Sequence, residues 1–246
     1  METMHVAHEA LDIPLPDYEN IITEDETPVD NLFSERQMAL LKDSLYASWP
    51  GPGDNRPFVA MANVGLFFTD RAEPLVPDVL VSLDVEPPPD PWPKENRSYF
   101  IWRYGKPPDV VIEIVSNRKG GELGNKLLDY ARLGVAYYIV YDPERQLSEQ
   151  PLRIFGRQQR TYVELHEHWL ADVGLGVTLW QGSYQGIEET WLRWCMRNND
   201  LLLTGAERAE QEHQRAEQEH KRAEQEHQRA ERLAAQLRAL GVDPDA

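Results

Sequence analysis

The feature that most constrains the fold is a pair of apolar segments separated by one helical segment, within residues 109–141. The first apolar segment, DVVIEIVS at 109–116, is typical of a strand that is buried on both faces of a sheet. A helical pattern follows at 122–133, ending at Gly134, and the second apolar segment occupies 136–141. A strand, a helix and a strand in this order predict a parallel pair with a right-handed crossover.

The remaining segments extend this unit into a larger α/β domain. Apolar residues spaced three and four apart predict a first helix, with Ser34 as its N-cap. We predict this helix at 34–49, strands at 58–68 and 78–85, a hairpin at 153–155 and 162–165, and a further helix at 187–203. The expected fold class is therefore α/β, with a central mixed β-sheet flanked by helices, over residues 31–203.

The C-terminal region contains a seven-residue repeat: AEQEHQR at 209, AEQEHKR at 216 and AEQEHQR at 223. Alanine and histidine recur at alternating steps of four and three, which is the a/d spacing of a heptad. Most other positions are Glu, Gln or Arg, which favour helix. These patterns predict one helix over 204–240, which is either solvated or weakly self-associating because an Ala/His seam buries little apolar area. A homodimer, to which this tail contributes, is one expectation.

The net charge is unfavourable for a protein that binds nucleic acid. The formal charge is −17, of which residues 206–240 contribute −1 and the two aspartates beyond them −2, so residues 1–205 carry −14. Nucleic-acid-binding proteins usually neutralise phosphates with Lys and Arg. This excess is evidence against tight, nonspecific DNA binding.

Composition also limits the compartment and the cofactor class. Cys195 is the single cysteine, which excludes an intramolecular disulfide and a cysteine-rich zinc site and favours a reducing compartment. No apolar run approaches the ~20 residues that span a membrane, and the N-terminus lacks a secretion signal. We expect a cytoplasmic protein with no membrane contact, a loosely ordered arm at 1–30 and a disordered end at 241–246.

Two acidic residues and one lysine form the candidate site. Asp78 opens one predicted strand, and Glu113 lies inside the next on the same face as its apolar neighbours Val111 and Val115. A buried carboxylate needs a cation, a hydrogen-bond network or a cleft. If adjacent strands bring the two acids together, they can share a hard cation such as Mg²⁺, which polarises phosphate and activates water. Lys126, on the following helix, can orient that water or stabilise developing charge.

Each of these residues also has a purely structural interpretation. Glu113 can be a structural carboxylate paired with Lys126 or an arginine, and Asp78 can be a turn residue after Pro77. Lys126 can pair with Glu122, four residues earlier on the same helix.

Residues 108–144 resemble the core signature of the Uma2-like endonucleases. This family was formerly a domain of unknown function, is common in cyanobacteria and belongs to the PD-(D/E)XK nuclease-like superfamily. The matching parts are PDVVIEIVS, Lys126, Tyr130, the ending YIVYDP and, upstream, PDVLVS at 77–82. The resemblance implies a restriction-endonuclease-like core and hydrolysis of phosphodiester bonds in DNA with Mg²⁺ or Mn²⁺.

The resemblance also implies roles for individual residues. It matches Asp78 and Glu113 to the metal-binding acids and Lys126 to the catalytic lysine. Val115 stands where an E-x-K motif places its lysine, so this lysine lies on the helix instead. Glu35 matches an acidic residue near the family's first helix, which makes it a fourth candidate catalytic residue that would complete the site.

Two details of the site and two functions remain open. The carbonyl group of Ile114 offers a third metal ligand, and Glu122 stands where the family has Asp. The first function is a metal-dependent endodeoxyribonuclease. The alternative is a catalytically inactive nuclease-fold module that binds or assembles and oligomerises through its C-terminal helix.

Overall fold

The computed structural model describes residues 18, 21, 31–53, 56–117 and 121–239. Most of the predicted arm at 1–30 and the predicted disordered end at 241–246 lie outside these residues. The elements in chain order are α1 (Leu32–Ser48), β1 (Phe58–Ala62), β2 (Leu66–Phe67), β3 (Val79–Leu83), β4 (Tyr99–Phe100), α2 (Ile101–Tyr104), β5 (Val110–Ile114), α3 (Asn125–Leu133), β6 (Tyr137–Tyr141), β7 (Leu152–Gln158), β8 (Thr161–Leu165), β9 (Trp169–Leu170), β10 (Leu175–Tyr184), β11 (Ile187–Cys195) and α4 (Gly205–Ala239). A short 3₁₀ turn covers Lys94–Asn96.

Six strands form the main sheet, in the order β1-β3-β5-β6-β7-β8. β5 and β6 are parallel and are joined through α3, while the other neighbours are antiparallel. The mixed α/β class and the parallel pair expected from residues 109–141 are therefore confirmed. The hairpin predicted in the 153–165 region is also confirmed, as β7 and β8.

The main sheet separates two apolar cores, and β5 contributes to both. Ile112 and Ile114 pack on the face that carries α1 and the β10–β11 layer, together with Leu45. Val111 packs on the opposite face, with Tyr130 of α3. Because successive side chains of a strand point to opposite faces, Glu113 lies on the α3 side of the sheet.

A capping side chain determines where α1 begins, and a glycine determines where α3 ends. The Asn31 side chain caps α1 by accepting a hydrogen bond from the Ser34 N–H at 2.9 Å, so the prediction of Ser34 as N-cap was wrong. Gly134 ends α3 with a φ of 97°, as predicted, because a left-handed residue closes the helix at low cost when it lacks a side chain. α3 begins at Asn125, after the turn that contains Glu122.

The helix predicted at 187–203 is wrong, because this region forms strand β11. β10 and β11 pair over nine residue pairs and are joined by Gln185 and Gly186, whose φ angles of 47° and 80° suit a two-residue hairpin turn. Trp191 and Trp194 are three residues apart, which resembles a helical face, but the strand is covered on both sides. Trp194 packs in the α1 core, whereas Trp191 stacks on Phe33 at 4.9 Å between ring centroids.

The C-terminal helix α4 is almost entirely exposed, which confirms the predicted helix and leaves its self-association a prediction. Its first turn is fixed to the domain by the buried Arg193, whose guanidinium contacts Glu207 at 2.7 Å and lies over the Trp180 ring. Arg208 also donates a hydrogen bond to the Ala47 carbonyl. Within the part of the chain that the structure covers, α4 and the other helices all lack the combination of length and apolar character needed to cross a membrane.

Candidate active site

Asp78 and Glu113 meet at one position of the main sheet. Val79 of β3 is paired with Ile112 of β5, so continuing the antiparallel register by one residue places Asp78 opposite Glu113. The backbone holds this point firmly, because Asp78 Oδ2 accepts a hydrogen bond from the Ile114 N–H at 2.7 Å. On the other side, the Asn63 N–H donates to the Asp78 carbonyl at 3.0 Å. Neighbouring positions across an antiparallel pair lie close enough for their side chains to interact directly.

Helix α3 supplies two partners for the Glu113 carboxylate. Lys126 Nζ lies 2.8 Å from Oε2, and the Tyr130 hydroxyl donates to Oε1 at 2.7 Å. The two partners are four residues apart, so one face of α3 presents both to the sheet. Glu113 itself is only 2% exposed. A buried carboxylate with both oxygens bonded is a satisfied one, and this accounts for a charged residue inside an apolar strand.

The surroundings shift the pKa values of both partners of this ion pair. Burial raises the pKa of Glu113 to about 7, against the attraction of the Lys126 ammonium and with a smaller contribution from the Asp78 charge. For Lys126 burial acts to lower the pKa, but the attraction of Glu113, Glu122 and Asp78 outweighs burial and raises it. Burial outweighs the attraction between the charges at Glu113 but not at Lys126, because Glu113 is enclosed whereas the Lys126 side chain is 28% exposed. Lys126 therefore stays charged, and Glu113 titrates near neutral pH.

Glu122 is a third acid in this cluster, which the sequence suggested as a partner of Lys126 and as the match to an Asp of the family. Its Oε1 lies 3.8 Å from Lys126 Nζ, so that pairing is present. Glu122 is 6% exposed, and its backbone carbonyl accepts a hydrogen bond from the Tyr138 hydroxyl at 3.0 Å. Its other oxygen, Oε2, is buried and has no hydrogen-bond partner in the described part of the chain. The signal in the sequence for Glu122 as a residue of this cluster was its match to the family's Asp, because both residues place a carboxylate at this position.

The structure does not bring Glu35 to the other predicted site residues. Glu35 is exposed in the first turn of α1, and α1 packs on the sheet face opposite to Glu113. Its charge lies instead near Tyr184 of the β10–β11 hairpin, whose pKa is raised mainly by burial and to a smaller extent by Asp43 and Glu35. A site on the α3 face therefore has to be built without Glu35. The N–H of Ile114 is engaged by Asp78, and a metal-binding role for its carbonyl stays a prediction.

The donor set suits a hard divalent cation that keeps much of its water. Among the residues that can be described, no three His, Cys, Asp or Glu side chains form a ready-made metal cage. Mg²⁺ does not need one, since it is usually held by one or two carboxylates together with waters and substrate phosphates. Asp78 and Glu113 provide two such carboxylates, and Glu122, which shares Lys126 with Glu113, adds buried negative charge to the cluster. These residues fit Mg²⁺ or Mn²⁺ better than a soft metal, which prefers thiolate or imidazole ligands.

A central mixed sheet with flanking helices, and with two acids and a lysine converging at one position, is the arrangement of a restriction-endonuclease-like fold. The family model that matches the chain is Uma2, described as a putative restriction endonuclease, and the match covers residues 19–177. This span is well over half of the chain and includes Asp78, Glu113 and Lys126, so the protein belongs to the Uma2 family. The chain matches none of the curated proteins with which it was compared.

Proposed function

We propose that this protein is a metal-dependent endonuclease that hydrolyses phosphodiester bonds in DNA at the site formed by Asp78, Glu113 and Lys126. The observation that carries the proposal is their convergence: two carboxylates from adjacent strands and one ammonium group from α3 meet on one face of the sheet. Family membership gives the nuclease-like function as a class. DNA as substrate and dependence on a metal are the parts that we add.

Asp78 and Glu113 are the residues that would hold the cation. Mg²⁺ or Mn²⁺, when bound, supplies a Lewis acid that polarises the scissile phosphate and makes water more acidic. The hydrogen bond from Ile114 fixes one oxygen of Asp78, and Tyr130 fixes one oxygen of Glu113. Both carboxylates are therefore oriented by the fold before any ligand arrives, which lowers the cost of reorganisation on binding.

Lys126 is placed to stabilise negative charge that develops on the phosphate. Its raised pKa keeps the ammonium group protonated, and its partial exposure leaves it accessible to a substrate. A fixed positive charge in a partly buried site stabilises a developing anion more strongly than it would in water.

The acidic charge of the chain is concentrated outside the nuclease-like domain. Residues 1–30 contain nine acidic and no basic side chains, whereas residues 31–205 contain 23 acidic and 18 basic ones and therefore carry −5. Much of the −14 that counts against DNA binding thus belongs to the N-terminal arm. Net charge restrains nonspecific affinity but does not prevent local binding of phosphate at a metal site.

A plasmid-nicking assay at low salt, with Mg²⁺ or Mn²⁺, tests the proposal. We expect nicking by the wild type that needs metal, that is lost in Asp78→Ala and Glu113→Gln, and that persists in the exposed control Glu149→Gln. Glu35→Gln is measured in parallel, and activity in that variant would agree with its position on the other face of the sheet. Cleavage that survives both site substitutions would show that the site lies elsewhere.

The second candidate function is an inactive nuclease fold used for binding or assembly. The observation that favours it is α4, an exposed helix of 35 residues that would extend roughly 50 Å from the domain. A folded wild type that cleaves DNA with neither metal would favour this second function.

A further inference from the structure

Lys126 lies between two buried carboxylates that differ in how well they are satisfied. Both oxygens of Glu113 are bonded, one to Lys126 and one to Tyr130. Glu122 holds Lys126 only at 3.8 Å through Oε1. Its Oε2 has no hydrogen-bond partner among the described residues, although Glu122 is 6% exposed. An unpaired oxygen of a buried carboxylate is costly, so a native structure that keeps one commonly has a use for it.

A cation at Glu113 must compete with Lys126 for the same oxygen. The ammonium group contacts Oε2 at 2.8 Å, and two positive charges on one carboxylate oxygen repel each other strongly in a poorly solvated site. Binding of a divalent ion to Oε2 of Glu113 therefore favours movement of Lys126 away from this oxygen. A partly buried ammonium group that loses its partner must find another one.

We propose that Glu122 is a positioning residue that takes over Lys126 when Glu113 binds a divalent cation. The inference rests on the metal site of the proposed function. The distances from Lys126 Nζ to the two carboxylates, 2.8 Å to Glu113 and 3.8 Å to Glu122, differ by only 1.0 Å, so a small rotation of the flexible lysine stem completes the exchange. After the exchange Lys126 still lies beside the metal site, but it no longer blocks Oε2 of Glu113.

Two other roles for Glu122 give different results and can be separated from this one. As a direct metal ligand, Glu122 would support cation binding whether or not Lys126 is present. As a merely structural residue, it would act through its backbone carbonyl, which accepts the hydrogen bond from Tyr138. Glu122→Gln keeps this carbonyl and the size of the side chain, and it replaces the carboxylate by a neutral amide. Lys126→Met removes the ammonium group and keeps a stem of similar length.

The experiment is a calorimetric titration of Mn²⁺ into the wild type, Glu122→Gln, Lys126→Met and the double variant. We expect Glu122→Gln to weaken Mn²⁺ binding about tenfold, the lower end of the range for residues that support metal ligands. Lys126→Met should bind Mn²⁺ at least as tightly as the wild type, because the competing cation is gone. In the Lys126→Met background, Glu122→Gln should change the affinity by less than about threefold, which is the coupling expected of residues that act through each other.

The conservative variant and the alternative outcomes complete the test. Glu122→Asp keeps the charge and should restore most of the affinity lost in Glu122→Gln. An unchanged affinity in Glu122→Gln overturns the inference while leaving the metal site intact. A tenfold loss that persists without Lys126 also overturns it, in favour of a direct ligand. A wild type that binds no Mn²⁺, or binds it as well after Glu113→Gln, overturns the proposed metal site and the inference with it.

Discussion

Replacing Glu113 by glutamine should change the dependence of stability on pH in a defined way. In the folded chain burial raises the pKa of Glu113 from 4.5 to about 7. Between these pH values the folded chain binds more protons at this residue than the unfolded chain does, so the free energy of unfolding falls as the pH rises. Below pH 4.5 the carboxyl group is neutral in both states and the penalty is absent.

The magnitude follows from the size of the shift. A rise from 4.5 to about 7 corresponds to about 3 kcal/mol at ~1.36 kcal/mol for each pH unit. Between pH 5 and pH 8.5 the free energy of unfolding of the wild type should fall by about 2.5 kcal/mol relative to that of Glu113→Gln. The fall is smaller than the full penalty because part of the penalty is already present at pH 5. In the wild type Lys126 stays charged across this range, since its pKa is raised, so the pH dependence at this ion pair comes from Glu113.

Urea unfolding of the wild type and Glu113→Gln at pH 5 and pH 8.5 measures this difference, with Glu149→Gln as an exposed control. We expect the two proteins to be similar in stability at pH 5, Glu113→Gln to be the more stable at pH 8.5, and the control to follow the wild type at both. A Glu113→Gln variant that is destabilised by the same amount at both pH values would refute the reasoning. It would mean that the ion pair with Lys126 outweighs the burial of the charge.

Three further predictions concern the site and the tail. Tyr130→Phe removes the hydroxyl that donates to Glu113 Oε1, so it should raise the pKa of Glu113 further and destabilise the protein by about 1–3 kcal/mol at pH 8.5, less at pH 5, in urea unfolding. Glu207→Ala leaves Arg193, which is 1% exposed, without its carboxylate partner and should lower the free energy of unfolding by about 3 kcal/mol. A chain that ends after Glu210 keeps this pair, and its free energy of unfolding should lie within about 0.5 kcal/mol of the wild-type value. The heptad seam of α4 is flanked by glutamate on both sides, so two wild-type copies repel each other along it. In analytical ultracentrifugation the wild type should therefore pair more strongly with a copy in which these glutamates are replaced by lysine than either protein pairs with itself. Self-association of either protein that is as strong as the mixed pairing would contradict this. The positions to be replaced by lysine in that copy are Glu210, Glu212, Glu217, Glu219, Glu224 and Glu226.

The parts of the fold that the sequence predicted well are those encoded by local patterns. β5, α3 and β6 follow one another closely, and each carries a clear apolar period with Gly134 between the last two. The meeting of Asp78 and Glu113 was also predictable, because adjacent strands need only one register to bring the two acids together. The observed register, with Val79 opposite Ile112, is that one.

The errors come from contacts that no local pattern records. β11 was predicted as a helix because Trp191 and Trp194 are three residues apart, as on a helical face. Both tryptophans are buried because the α1 core covers one face of the strand, while on the other face Trp191 stacks on Phe33 and Arg193 contacts the first turn of α4. The better signal in the sequence was Gly186, since glycine readily adopts the positive φ that a two-residue hairpin turn requires. The segment 58–68 was predicted as one strand, but Asn63, with a φ of 51°, divides it into β1 and β2.

The candidate site shows the same limit. Glu35 matched the family pattern, yet the choice of sheet face for α1 depends on the whole core and not on the helix sequence, and it placed Glu35 away from Glu113. The reverse holds for Glu122, because the sequence does not show that its carboxylate is buried near Lys126 with one oxygen, Oε2, that lacks a hydrogen-bond partner among the described residues.

The most direct test of the central claim is an anomalous-scattering map from crystals of the protein soaked in Mn²⁺ and collected at the manganese edge. The account predicts one strong peak within coordination distance of the Asp78 and Glu113 carboxylates, on the α3 face of the sheet, that disappears in crystals of Glu113→Gln. A manganese peak elsewhere on the molecule, with none between these two acids, would contradict the assignment of this site and the nuclease mechanism built on it.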